Sequence, residues 1–137
     1  MADFDWVRAR AECSLRKVFF RLAAGVRSDV DARNEVARTN SDNELFEASN
    51  EGERVLITRT ERSDVRRIEF SLGGDAITVE GDGINFKATP GLNNTGDCTL
   101  MVDGDELQLW QVRRKALEKL FFDEKPIVRI AAQRKPS

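Results

Sequence analysis

Histidine is absent from the chain. That removes the commonest general base, the commonest metal ligand and the simplest switch near neutral pH. No apolar run approaches the roughly 20 residues that a membrane-spanning helix needs, so no membrane association is expected. A targeting signature is missing too. Met1-Ala2-Asp3-Phe4-Asp5 opens with acids and leads to Arg8, Arg10 and Glu12, unlike a secretory signal or an acid-poor transit peptide. The expected location is the cytoplasm. Cysteine is scarce: Cys13 and Cys98 allow one disulfide, but not the framework that staples small secreted domains. Falling on a predicted helix and a predicted strand, they read as small buried residues rather than redox groups.

What is present suits one folded unit. The 137 residues, 40% hydrophobic and 34% charged, match the size of a single domain with a moderate core. Net charge is only −2, yet it is unevenly spread: residues 73–110 hold one basic and seven acidic side chains, and residues 111–137 hold eight and three. An acidic middle and a basic end either complement one another within the fold or steer a partner.

The period of the apolar residues changes along the chain. Asp3 or Asp5 is placed to cap a first helix. Phe4, Val7, Ala11, Leu15, Val18, Phe19 and Leu22 recur at spacings of three and four. Gly25 reads as a stop, and Ser28 with Asp29 and Asp31 as a second, weaker helix to about Arg38, or as a continuation of the first. From Leu45 the period becomes two. Ile68, Phe70 and Leu72 alternate with Arg67, Glu69 and Ser71, as a half-buried strand requires. Gly73-Gly74, Gly81-Asp82-Gly83 and Asp103-Gly104 are turn signals. Residues 89–96 read as a loop. Strands joined this tightly must be antiparallel. Helical spacing returns with Trp110, Ala116, Leu117, Leu120 and Phe121. Pro126 limits that helix, and Ile127–Ala132 reads as a final edge strand.

The expected fold is α+β: a six- or seven-stranded, mainly antiparallel meander between an N-terminal helical segment and a C-terminal helix. Residues 1–137 form one domain. Its parts are a helical region at 1–40, strands at 44–110, a helix with a possible edge strand at 111–132, and a loose tail at 133–137.

Chemistry is harder to find. Most acids sit in or beside turns, where aspartate is locally favoured. Asp103-Gly104-Asp105-Glu106 lacks the continuation of an EF-hand loop, and Asp82 with Asp97 is the nearest thing to a paired-carboxylate hydrolase. The glycine pairs lack the context of phosphate-binding loops. Ser14, Ser28 and Cys13 have no histidine to activate them, and Lys17 near Ser14 supplies only part of a site. No metal, cofactor or catalytic residue is expected.

The sequence instead suggests a noncatalytic protein-interaction or self-association domain. Trp6, Phe20, Phe122, Arg113 and Arg114 are the partner-binding candidates, since interfaces favour aromatics and arginine. Three alternatives stay open. A curved sheet could enclose an apolar ligand among Ile68, Phe70, Ile77, Val79, Ile84 and Phe86. Arg113, Arg114, Lys115 and Lys119, joined by Lys125, Arg129, Arg134 and Lys135, could meet nucleic-acid phosphates. A carboxylate-dependent enzyme is the third.

Overall fold

A computed structural model describes residues 3–40, 45–61 and 64–123. The expected edge strand at Ile127–Ala132 and the tail at 133–137 lie outside the described residues. So do Lys125, Arg129, Arg134 and Lys135.

The first helical stripe divides where the sequence reading had it continuous. The Asp5 carboxylate accepts the Arg8 N–H at 3.0 Å and caps α1, Trp6–Glu12. The chain then bends at Cys13, and Ser14 starts a second helix by accepting the Lys17 N–H at 3.3 Å. This α2, Leu15–Thr39, runs unbroken through Gly25 and Ser28, where a stop and a restart were expected. Packing explains the glycine. A Cβ at position 25 would lie 2.6 Å from an Arg113 guanidinium nitrogen, so Gly25 leaves room for a neighbouring side chain rather than ending a helix.

Seven strands follow: β1 Leu45–Glu51, β2 Arg54–Glu61, β3 Asp64–Leu72, β4 Ile77–Gly81, β5 Ile84–Leu92, β6 Cys98–Val102 and β7 Asp105–Leu107. They pair in sequence order, each antiparallel to the next. Asp82-Gly83 and Asp103-Gly104 both turn with positive φ at each residue, the conformation that Asp-Gly pairs accept. The Gly73-Gly74 link differs from a two-residue hairpin. Leu72 pairs with Ile77, leaving a four-residue connection closed by Gly73 N–H donating to Ala76 O at 2.8 Å.

Residues 89–92 continue β5 instead of entering a loop, despite Pro90. The last β4 partner on that strand is Ala88, opposite Ile77. Backbone directions alternate along a strand, so the nitrogen of Pro90 faces the side where β4 has ended. Its missing N–H costs no ladder bond. Leu109 has the parity to extend a strand through Leu107, yet it opens the closing helix α3, Leu109–Phe122.

One sheet face is lined by Phe46, Ile57, Ile68, Phe70, Val79 and Leu100, all at most 1% exposed. The packed helical layer meets this face, with Phe19, Leu22 and Val26 from α2 and Ala116, Leu117 and Leu120 from α3. Burial of each large apolar side chain contributes about 1.5–3 kcal/mol relative to exposure. Cys13 and Cys98 are joined in a disulfide. The reading of Cys13 and Cys98 as two small buried residues gives way to the disulfide that the sequence only allowed: the bend between α1 and α2 lands beside the start of β6, a proximity that no periodicity in either segment encodes.

Candidate docking groove between two helices

The helices α2 and α3 run side by side in the same direction. Arg113 Nε donates to an Asp29 carboxylate oxygen at 2.7 Å, and further along Arg33 Nε donates to the Phe121 carbonyl at 2.8 Å. Both ends of α3 are fixed. At its start, Gln111 Oε1 accepts the Gln108 N–H at 2.8 Å, and Trp110 Nε1 donates to Gln108 Oε1 at 3.0 Å. The indole is thus held in one orientation although the residue is 49% exposed.

The C-terminal end is fixed by arginines that lie on the inward side of the fold. Arg59 is nearly buried and donates through Nη1 to the carbonyls of Leu120 and Asp123, each at 2.9 Å. With Arg33 on Phe121, this supplies donors to the last carbonyls of the helix and places positive charge at its negative end. The Phe46 ring lies under both guanidinium groups, 4.8 Å from Arg33 and 5.7 Å from Arg59. Arg66 extends the network to Asp82 at 2.6 Å and Asp123 at 3.4 Å. The Asp82 hydrogen bond raises the Arg66 pKa above its ordinary value, and the Asp82 and Asp123 charges add to that rise against the effect of burial. A raised folded-state pKa means that the guanidinium's share of this stabilisation is lost only as pH rises through the guanidinium range.

Between the two helices lies a groove of about 400 Å³. Val36, Trp110, Leu117, Phe121 and Phe122 supply its apolar surface, and Asp29, Arg33, Arg113, Arg114 and Glu118 supply its polar rim. Phe122 is 61% exposed there. Arg114 pairs with Glu118 at 3.1 Å, as Arg113 does with Asp29. Arg113 and Arg114 therefore each have a carboxylate partner beside them. Lys115 instead stands 5.4 Å over the Phe86 ring.

Of the five partner-binding candidates, Phe122, Arg113 and Arg114 meet in this groove. Trp6 lies on α1 and Phe20 on α2 beneath the Arg16 guanidinium at 5.1 Å, and neither lines it. Ile68, Phe70, Ile77, Val79 and Phe86 are core residues, with Ile84 partly buried against them. None of the six lines the groove. Asp82 and Asp97 flank opposite ends of β5, a nine-residue strand, which separates them by roughly 30 Å of extended chain. No cluster of three or more Asp, Glu or Cys side chains fit to hold a metal occurs among the described residues. No described helix is long and apolar enough to cross a membrane.

Sequence reasoning missed the buried arginines, although a signal existed. Arg59 shares the parity of Val55 and Ile57, and Arg33 shares the spacing of Val26, Val30 and Ala37. A charge on an apolar face marks a side chain with buried work to do. No protein family, curated protein or solved structure matches this chain.

Proposed function

We propose that this chain is a noncatalytic protein-interaction domain that docks an acidic amphipathic helix in the groove between α2 and α3. The observation that carries this reading is the pair of exposed aromatics, Trp110 and Phe122, standing over a preformed apolar groove. Aromatic anchors beside arginine are what interface centres favour. Helix-in-groove recognition uses apolar side chains at spacings of three and four. Charge leans towards an acidic visitor, because the groove rim carries Arg33, Arg113 and Arg114 against Asp29 and Glu118. The pinned indole lowers the ordering cost of binding.

The groove residues belong to α2 and α3, and neither Cys13 nor Cys98 lines it. The same surface is therefore expected to work in the cytoplasm, where the disulfide would be reduced, and in an oxidising compartment, where it would persist.

The test is a titration with a synthetic amphipathic peptide of about 20 residues, leucine on one face and glutamate at the flanks. Binding in the micromolar range is expected, and Trp110→Ala with Phe122→Ala should weaken it by about tenfold or more. A lysine-flanked counterpart should bind more weakly. Equal affinity for the double variant would overturn the reading. A dimer at micromolar concentration that dissociates in the double variant would replace it with self-association.

A further inference from the structure

We propose that the edge of the sheet at β1, which has no further strand beside it among the described residues, takes up an extended basic protein segment as an eighth strand. The argument begins with Asn34 on α2. Its Nδ2 donates to the Phe46 carbonyl at 2.8 Å, and its Oδ1 accepts the Phe46 N–H at 3.1 Å. Both backbone groups of Phe46 therefore face away from β2. Outward-facing residues alternate along an antiparallel edge, so the N–H and C=O groups of Ala48 and Asn50 face the open side as well. Among the described residues β1 pairs only with β2. Asn34 thus closes the edge at Phe46 with a side-chain amide, and the next two outward positions have no backbone partner among the described residues. A cleft of about 380 Å³ lies alongside, walled by Arg27, Val30, Asp31 and Asn34 of α2 and by β1 from Phe46 to Ser49.

Charge selects the occupant. Glu47 lies on the solvent side of β1 and Asp31 on α2, neither with an ion-pair partner among the described residues, and Glu51 shares the side of Glu47 while facing Arg54 across the ladder. Two copies of β1 paired antiparallel about Ser49 would satisfy Ala48 and Asn50 but set Glu47 of each copy opposite Glu51 of the other. Like charges directly opposite one another destabilise a sheet. An incoming strand with lysine or arginine at alternate positions turns the same carboxylates into favourable cross-strand partners. Its intervening side chains face Ala48 and the wall of α2 at Val30, which suits small apolar residues. Main-chain bonds supply affinity in this mode, and alternate side chains supply specificity.

The probe is a labelled peptide of about ten residues alternating lysine and valine, titrated into the full chain beside its glutamate–valine counterpart. The lysine peptide should bind and the glutamate peptide should not. Glu47→Lys with Glu51→Lys, both exposed positions, should weaken binding by about tenfold or more. Ala48→Pro deletes an N–H that points out of the β1–β2 ladder, so the fold survives and binding is lost. Amide shifts in the unsubstituted protein should centre on Ala48 and Asn50. Equal binding of both peptides, undiminished binding by the Ala48→Pro protein, or shifts centred elsewhere would overturn the proposal. So would a peptide-free dimer abolished by Ala48→Pro, which would make a second copy the occupant. Trp110→Ala leaves this edge untouched, so failure here is separable from failure at the α2–α3 groove.

Discussion

The two short helices that flank the fold, α1 and α3, are attached to it by different means. Along its length α3 buries Val112, Ala116, Leu117, Leu120 and Phe121, and buried arginines hold its last carbonyls. In contrast α1 buries no residue. It is held beside its C-terminus by the Cys13–Cys98 bond, and Phe4 just ahead of it lies against Gly96. Each helix carries an exposed tryptophan, yet only that of α3 stands over a groove. Attachment by packing builds a surface with shape, whereas α1 is tied at its ends, by the disulfide on one side and the Phe4 contact on the other.

The largest effect should come from removing that bond. Cys13 and Cys98 are 85 residues apart, and closing a loop of that length stabilises by up to about 4–5 kcal/mol in the chain-entropy account. Cys13→Ser with Cys98→Ser should cost about 4 kcal/mol in urea denaturation. Trp6 should become more mobile by fluorescence anisotropy while Trp110 does not. Equal loosening of both tryptophans would break the contrast between the helices.

Arg59→Ala comes next. It leaves the Leu120 and Asp123 carbonyls without a buried charged donor, and a loss of about 3 kcal/mol is expected. Hydrogen exchange should rise first in the last turn of α3, with α1 unaffected. Ser14→Ala should cost about 1 kcal/mol by removing the cap of α2, seen as a lower melting temperature at unchanged helix content. Smallest of all, Trp6→Ala should change stability by less than about 0.5 kcal/mol, as surface substitutions do. A larger loss would mean that α1 is packed after all.

Much of this architecture was legible in the sequence. Alternation at Ile68, Phe70 and Leu72 and the Asp-Gly turns located the meander, because period two and positive-φ turn residues are local properties. What escaped was set by distant neighbours. Gly25 resembled a helix stop until Arg113 was seen against it, and Pro90 resembled a loop because the end of β4 is not written near it. Two solitary cysteines carry no record of whether the fold brings them together. The groove was half visible: Phe122, Arg113 and Arg114 were chosen for their chemistry, but Val36 and Trp110 join them only once α2 and α3 lie parallel.

The disulfide has a mechanical consequence as well. It closes a covalent ring that contains α2 and β1 through β5, while α1 and the segment from β7 through α3 remain outside. Pulled by its two ends, the oxidised chain can lengthen only through the stretches before Cys13 and after Cys98. The long helix and most of the sheet would carry no tension. Reduction would release the ring, and roughly 290 Å of hidden contour length would appear in a force–extension trace.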